Sequence, residues 1–381
     1  MLRVVRSTYW LTEHPRAGGH FWVYAQYADA LRRLGCDVWW LEQLSPRADL
    51  AGDRSGATLL ADRLRALGLG DRLILYRWAV GDSQEPGRPA YLNVPEQRAE
   101  QVLRGSDLLL NFHYALPAEM LARFRRTALV DIDPGLLQLW WENAQVQVHR
   151  HDTYFSIGEH LGAVTGDDGK QWAHSPPVVS LDLWPYTHDP DCSRFTTVTS
   201  WDSHTYVQMD GALLDTNKRL SYLAYSDLPR RTGRRLELAT VFGDNEAAHR
   251  RTMESHGWTI RDPNEVAGSP QAYQGYLQGS RAEFSCAKPA YVMLRNAWLS
   301  DRTACYLASG KPAVVQDTGP SSYLPDGLGL LKFSSPEEAA AAIGDVDSHY
   351  RQHCRAAREI AESYLSATDV VARLLDRAVA R

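Results

Sequence analysis

The strongest constraint on the fold is a regular alternation of short apolar runs with amphipathic helical segments, repeated along most of the 381 residues. The first unit is a predicted strand at residues 2–11, a helix at 21–34 that Gly35 ends, and a strand at 37–42. Such a βαβ unit makes a parallel sheet through a right-handed crossover. The alternation therefore predicts an α/β protein with parallel sheets.

The alternation falls into two series. The first continues with predicted helices at 57–67, 95–104 and 117–124 and strands at 72–78, 107–112 and 128–132. The second has predicted strands at 195–199, 236–241, 258–260, 282–286 and 313–315, and helices at 217–226, 247–256, 271–278 and 336–343. Residues 348–380 are also predicted to be helical, with a break at 366–369. Residues 148–194, which are less regular, are predicted to end the first domain and to form a linker.

We therefore predict two Rossmann-like doubly wound domains that face a cleft. The first would span residues 1–190 and the second residues 191–348. The C-terminal helices at 349–381 would return to the first domain.

Residues 295–319 contain the clearest local signals. Ser300 and Asp301 are good helix-start residues, Gly310 and Pro312 stop a helix, and the apolar run that follows is typical of a buried strand. Because a helix N-terminus attracts anions, this segment indicates a phosphate site. The alternative is an ordinary α/β unit with a capped helix.

Other candidate residues lie where predicted strands end, which is the ligand edge of an open α/β sheet. His113, Asp131 and Asp133 follow strands of the first series. Gly18 and Gly19 stand between the first strand and the first helix, where they admit a phosphate or form only a tight turn. They do not form the Gly-x-Gly-x-x-Gly pattern of dinucleotide-binding proteins.

Composition excludes several classes of protein. A formal net charge of −5 disfavours nucleic acid and anionic membranes as partners. No apolar stretch approaches the length of a signal core or a membrane span. The five cysteines are scattered, which predicts a cytoplasmic protein without disulfides or a zinc site. Residues 149–152, His-Arg-His-Asp, weakly suggest a metal site, but no third ligand cluster is evident.

Four motifs, in the same order, resemble those of GT-B glycosyltransferases of the retaining, nucleotide-sugar-dependent branch. The first motif is Pro-Arg-Ala-Gly-Gly at 15–19 with Gly-Cys-Asp-Val at 35–38, and the second is Lys-Arg at 218–219 with the strand up to Asp244. The third is Leu-Ala-Ser-Gly-Lys-Pro-Ala-Val-Val at 307–315. The fourth is Gly-Leu-Gly-Leu-Leu at 327–331 with Ser-Pro-Glu-Glu at 335–338. There is one departure. Ala297 and Cys305 occupy the positions where that branch carries two glutamates.

The resemblance implies a hexose-transferring enzyme that uses a nucleotide-diphosphate sugar as co-substrate and needs no cofactor or metal. Its acceptor would be a soluble natural product or glycan. The predicted donor-binding residues are Gly18, Gly19, Ser200, Trp201, Lys218, Arg295, Ser300, Asp301, Arg302, Asp317, Thr318 and Gly319. Trp201 either stacks on the nucleotide or packs in the core.

Two residues are predicted to take part in proton transfer. In an inverting reaction His20 would be the general base, because imidazole titrates near neutrality, and Asp131 or Asp133 would orient it. The alternative for His20 is a hydrogen bond to backbone. Two other functions stay open at this stage: a nucleotide-sugar epimerase on the same fold, and a non-catalytic nucleotide-binding protein.

Overall fold

The computed structural model describes residues 1–44, 50–79, 87–161, 171–209 and 211–380. These residues form two large sheets, each mainly parallel. The first has eight strands in the order β4-β3-β2-β1-β5-β6-β7-β8, and only β4 is antiparallel to its neighbour. Its strands are β1 (Arg3–Thr8), β2 (Asp37–Leu44), β3 (Leu73–Ala79), β4 (Arg88–Tyr91), β5 (Leu108–Asn111), β6 (Thr127–Asp131), β7 (Thr153–Ser156) and β8 (Trp172–His174).

The second sheet has six parallel strands in the order β13-β12-β9-β14-β15-β16. A separate antiparallel hairpin, β10–β11, follows β9 along the chain. The strands are β9 (Arg194–Val198), β10 (Tyr206–Met209), β11 (Ala212–Asp215), β12 (Arg235–Ala239), β13 (Thr259–Arg261), β14 (Ala282–Ser285), β15 (Ala313–Gln316) and β16 (Leu330–Phe333). We refer to the parts that carry the two sheets as the first and second lobes.

Helices connect the strands. In the first lobe they are α1 (Gly18–Arg33), α2 (Leu50–Ala66), α3 (Glu96–Arg104), α4 (Ala118–Leu121) and α5 (Leu136–Glu142). In the second they are α6 (Lys218–Ala224), α7 (Leu228–Thr232), α8 (Ala247–Ser255), α9 (Pro263–Val266), α10 (Pro270–Gln278), α11 (Pro289–Leu294), α12 (Asp301–Ala308), α13 (Pro336–Ser348) and α14 (Tyr350–Tyr364). The last helix, α15 (Ala367–Val379), packs on α1. No helix in the described ranges has the length and apolarity to cross a bilayer.

Both faces of the first sheet are covered by core. Successive residues of β1 belong to different clusters, since Val4 packs with α1 residues such as Ala28 whereas Val5 packs with Val102 of α3. A strand buried on both faces has no polar alternation, which explains the continuous apolar runs in the sequence.

The predicted α/β fold with two Rossmann-like sheets is confirmed. The segment 148–194, predicted to end the first domain and to form a linker, contains β7 and β8, which extend the first sheet. Two local predictions were wrong. The first strand ends at Thr8 rather than at residue 11, since Trp10 has a left-handed backbone (φ +46°). The first helix begins at Gly18 rather than at residue 21, so Gly18 and Gly19 belong to α1 and not to the loop before it. The boundaries at 190 and 348 stay predictions.

Candidate active site between the two lobes

The candidate active site is a cavity of about 660 Å³ between the two lobes. The first lobe contributes the loop after β1 and the first turns of α1. The second lobe contributes the segments that follow β9, β12 and β13, together with the start of α12. The polar lining includes His20, Gln26, Ser200, Asn264, Asp301 and Arg302. The cavity therefore lies at the carboxyl ends of strands from both sheets, where open α/β sheets bind ligands.

The first turn of α1 packs directly against the second lobe. Gly18 donates its N–H to the carbonyl oxygen of Ala267 (3.1 Å), and a Cβ atom on Gly18 would collide with the backbone of Ser269. A Cβ atom on Gly19 would lie 2.7 Å from the ring of Tyr273. Both glycines are thus required by close contact between the lobes. Their role in phosphate binding stays a prediction, and the N–H of Gly18 is already engaged.

The start of α12 has the local structure that its sequence predicts. Ser300 is the N-cap, and its Oγ accepts the N–H of Arg302 (3.3 Å). Asp301 is the first residue of the helix, and both Asp301 and Arg302 line the cavity. An anion in the cavity would therefore meet the positive end of this helix.

Arg302 is anchored in the second lobe by a buried ion pair. Its Nε donates to Oε1 of Glu283 on β14 (2.7 Å), and one terminal nitrogen donates to the carbonyl of Val198 (2.9 Å). Glu283 is 0% exposed and Arg302 is 8% exposed. The other terminal nitrogen, Nη2, is buried and has no hydrogen-bond partner among the residues that the structure describes. Arg302 thus supports the fold and keeps one donor for a ligand.

Three cations converge beside this helix start: Lys218, Lys288 and Arg302, which we call the cation cluster. Burial, Arg302 and Lys288 lower the pKa of Lys218 to about 7. Within the described residues Lys218 makes no hydrogen bond or ion pair, and its ammonium lies 5.7 Å from the ring centre of Trp298. Arg302 and Lys288 are thus near enough to Lys218 to repel its positive charge, so the cluster favours an anionic ligand. Lys288 was not among the residues predicted from the sequence, although it lies close after the end of β14, beyond Cys286 and Ala287.

Asp133 links the lobes at the cation cluster. Its carboxylate accepts hydrogen bonds from Lys288 Nζ (2.9 Å) and from the hydroxyl of Tyr291 (2.6 Å). Burial alone would raise the pKa of Asp133, but these two contacts outweigh it and the pKa falls below its ordinary value. Asp131, two residues earlier, is buried among Gln138 and Ser156. Burial raises its pKa to about 6.

His20 lies on the first turn of α1 and lines the cavity. Its Nε2 is 3.1 Å from the hydroxyl of Tyr24, and its ring centre is 6.1 Å from that of His14. Burial, and secondarily His14, lower the pKa of His20 to about 4, while Asp133 opposes the shift. The imidazole is therefore neutral at pH 7. If Nε2 donates its proton to Tyr24, then Nδ1 has a free lone pair.

Asp301 is the carboxylate of α12 that faces the cavity. Ala297 and Cys305, at the positions of the family's glutamates, are both buried, and Cys305 Sγ accepts an N–H from Gln26 at 3.5 Å. Burial, together with the charge of Asp133, raises the pKa of Asp301 to about 7. Its side chain makes no hydrogen bond or ion pair with another described residue.

Six of the predicted donor-binding residues lie outside the cavity lining: Trp201, Lys218, Arg295, Asp317, Thr318 and Gly319. The last four lie around the loop before α12. Arg295 has a side chain that is 60% exposed, and its guanidinium is 3.7 Å from the carboxylate of Asp317. Thr318 donates its hydroxyl to the carbonyl of Trp298 (2.8 Å), and Gly319 packs with a left-handed φ of +115° against the backbone of Arg295. These residues brace the loop before α12, because the end of β15 packs on that loop.

Trp201 belongs to the core of the second lobe, although Ser200 next to it lines the cavity. The indole is 1% exposed and packs against Phe242, Tyr222 and His249, with ring centres 4.5 to 6.3 Å apart. The predicted stacking on a nucleotide does not fit this burial. The alternative, core packing, is what the structure has.

Hydrogen bonds at both ring nitrogens of His151 leave it no lone pair for a metal. His151 accepts from Asn111 (2.8 Å) through Nε2 and donates to the carbonyl of His149 (2.8 Å) through Nδ1. Asp345, His349 and His353 lie close enough together to hold an ion. However, His353 Nδ1 accepts the N–H of Gly329 (3.1 Å), so Nε2 carries the proton.

The fold is similar over its whole length to solved glycosyltransferases. An α-glucosyltransferase in complex with UDP and mismatched DNA is 11% identical, has a TM-score of 0.62, and the match covers 99% of this chain and 100% of that one. Anabaena HepE in complex with UDP and glucose is 10% identical (TM-score 0.59, 99% of both chains). A trehalose-6-phosphate protein from E. coli with UDP-2-fluoro glucose is 11% identical (TM-score 0.57, 100% and 99%).

At the level of sequence there is no such match: no protein-family model and no curated protein matches this chain. The likeness therefore rests on the three-dimensional structure, in which two Rossmann-like lobes enclose a cavity at their strand ends. We conclude that this chain has the GT-B fold of glycosyltransferases.

Proposed function

We propose that this protein is a glycosyltransferase that moves a sugar from a nucleotide-diphosphate sugar to a soluble small-molecule or glycan acceptor without a metal ion. The observation that carries the proposal is the cation cluster, which gathers three positive side chains beside the N-terminus of α12. A leaving diphosphate needs such fixed positive charge. The GT-B fold supports the same function, since two of the similar structures have UDP bound.

The diphosphate would lie between the lobes at the cation cluster. Lys218 would contact it with an ammonium that has no partner in the described protein, and Arg302 with its free Nη2. Ser300 and Asp301 hold the helix start that faces it. These fixed donors take the place of water around the diphosphate and stabilise the negative charge that develops on it as it leaves.

The chemical step would be one displacement with one proton transfer. The acceptor oxygen bonds to the anomeric carbon, and the bond from that carbon to the phosphate oxygen breaks, leaving its electron pair on the diphosphate. The acceptor proton passes to Nδ1 of His20, and Asp133 stabilises the imidazolium that forms, because its charge favours the protonated ring. This assignment belongs to an inverting reaction.

The proposal includes a cytoplasmic location. All five cysteines are free, and Cys286, Cys305 and Cys354 are buried. Free thiols are typical of a reducing compartment. A negative net charge supports a soluble acceptor rather than nucleic acid.

A panel of nucleotide-sugars tests the function directly. UDP-, GDP-, ADP- and TDP-sugars are screened by thermal shift, and those that stabilise the protein are then assayed for nucleotide release with pooled small-molecule and glycan acceptors. Acceptor-dependent release supports the proposal. Binding without any turnover would favour a non-catalytic nucleotide-binding protein, and conversion of the sugar-nucleotide alone would favour an epimerase.

Lys218→Met is expected to weaken binding of the matching nucleoside diphosphate by about 2–4 kcal/mol, or roughly 30- to 1,000-fold. The reason is that Lys218 is the partly buried cation of the cluster that has no hydrogen bond or ion pair with any described residue. Isothermal titration calorimetry measures the effect. Lys332→Met is the matched control, since Lys332 already donates to the carbonyl of Gly319 (3.2 Å) and does not belong to the cation cluster. Equal affinities for the two variants would refute the assignment.

Nucleoside diphosphate binding is expected to weaken as pH rises from 6 to 8.5. Lys218 and Asp301 each have a pKa of about 7 in the free protein. A bound anion favours protonated Lys218 and protonated Asp301, so it raises both pKa values and binding takes up protons above pH 7. Calorimetry in buffers of different ionisation enthalpy measures that uptake.

The nucleotide's own terminal phosphate also titrates near pH 6, so variants must isolate the protein groups. Asp301→Asn removes one of the two protonation sites and is expected to reduce proton uptake at pH 7.5 while leaving binding intact. Proton uptake that is the same in wild type and in this variant would contradict the role of Asp301. If Lys218→Met took up as many protons on binding as wild type, the role of Lys218 would be contradicted.

A further inference from the structure

Three aromatic rings form a stack at the ligand edge of the first sheet. Tyr9 lies between the other two: its ring centre is 4.7 Å from that of Trp10 and 5.4 Å from that of Tyr114, with interplanar angles of 22° in both cases. We call Trp10, Tyr9 and Tyr114 the aromatic ladder. His113 lies against it, 5.0 Å from Tyr9 and 6.0 Å from Trp10.

The ladder differs from core packing in three ways. All three of its rings are partly exposed. Trp10 has a left-handed backbone, which is a strained conformation for a bulky residue and is seldom kept without a functional reason. The indole N–H of Trp10 and both ring nitrogens of His113, which is 2% exposed, are buried and have no hydrogen-bond partner in the described parts of the chain. Buried polar groups normally have partners, so these await one.

The position of the ladder points to the acceptor rather than to the nucleotide. Tyr9 and Trp10 follow β1, Tyr114 follows β5, and Asp133 follows β6, which are adjacent strands. Asp133 is near enough to influence the pKa of both tyrosines. The nucleotide cavity, in contrast, is lined by the loop between β1 and α1 only from residue 13 onward, and its lining does not include the ladder.

We propose that the aromatic ladder is the acceptor platform and that the acceptor presents a neutral, flat, hydroxylated six-membered ring. This inference rests on the proposed glycosyltransferase function. A flat ring extends the stack, and its hydroxyl oxygens accept from Trp10 Nε1 and pair with His113. Two sources share this chemistry: a phenolic ring and the apolar face of a pyranose. Acyclic polyols have the hydroxyls without the flat face.

Saturation-transfer NMR on the full chain, with saturating nucleoside diphosphate, tests the proposal with three sets of probes: simple phenols, methyl pyranosides and acyclic polyols. We expect phenols or pyranosides to bind, which identifies the source, and polyols not to bind. Trp10→Asn and Tyr114→Leu are expected to raise the dissociation constant of the bound probe at least ten-fold. Asparagine tolerates the left-handed backbone, so Trp10→Asn removes the ring without a new backbone strain.

Two controls keep the result interpretable. Tyr206→Leu removes an exposed tyrosine of the β10–β11 hairpin and should change nothing. Nucleoside diphosphate affinity and Tm are measured for every variant and should match wild type. The proposal is overturned if polyols bind as well as rings, if no ring binds, or if both ladder variants bind like wild type. If the wild-type protein bound no nucleoside diphosphate, the proposed glycosyltransferase function itself would be refuted instead.

Discussion

Replacing Arg302 by alanine is expected to lower the free energy of unfolding by about 3–5 kcal/mol. The guanidinium and the carboxylate of Glu283 form an ion pair of 2.7 Å in the interior of the second lobe. Alanine would leave Glu283, which is 0% exposed, as a buried charge without its cation. Val198 would also lose the donor to its carbonyl. Denaturant unfolding followed by circular dichroism measures the change.

A double replacement separates two contributions to the free energy of unfolding: the destabilisation by a buried charge without a partner, and the net stabilisation by the ion pair. Arg302→Met combined with Glu283→Leu removes both charges with little change in volume, and it is expected to recover most of the lost stability. It should still weaken nucleotide binding, since Nη2 is gone. If Arg302→Ala changed stability by less than about 1 kcal/mol, the ion pair would not support the fold as described.

His20→Ala is expected to reduce kcat by roughly 10²- to 10⁴-fold while nucleoside diphosphate affinity stays within about two-fold. The loss follows if His20 takes the acceptor proton, a step that occurs after the nucleotide has bound. Because the pKa of His20 is about 4, the base is neutral throughout the physiological range and its protonation slows the reaction only below about pH 5. Nucleotide release under saturating donor measures kcat.

His14→Ala is the matched control for this prediction. His14 lies in the same loop with its ring 6.1 Å from that of His20, but it is exposed. Its replacement should leave kcat near the wild-type value. NMR of the product gives a second criterion, because a base-assisted single displacement inverts the anomeric configuration. Retention of configuration, or wild-type kcat in His20→Ala, would reject the role of His20.

Local patterns predicted the elements of the second lobe that frame the site. Ser300 was predicted as a helix start and is the N-cap of α12, and the stop at Gly310 and the strand after Pro312 are also present. Such signals depend on residues within one helical turn of each other, so the sequence contains all that they need. Gly18 and Gly19, in contrast, were predicted to lie in a loop before the first helix, whereas they are the first two residues of α1.

Elements that depend on distant pairing were missed. β7 and β8 are short strands within an irregular segment, and they exist because β7 pairs with the edge of β6 and β8 pairs with β7. The β10–β11 hairpin was missed as well, since its strands have only four residues each. Short strands have weak periodicity, and their stability comes from partners elsewhere in the chain.

The sequence by itself determined the α/β class, the two series of strands and the helix start at Ser300, because periodicity and capping are local properties. The tertiary structure alone decided what each charged residue does. Lys288 pairs with Asp133 across 155 positions, and Arg302 with Glu283 across 19. Trp201 is part of the core, and Lys218 has no partner among the described residues, for the same physical reason. Burial and charge pairing depend on distances through space, which the order of residues along the chain does not contain.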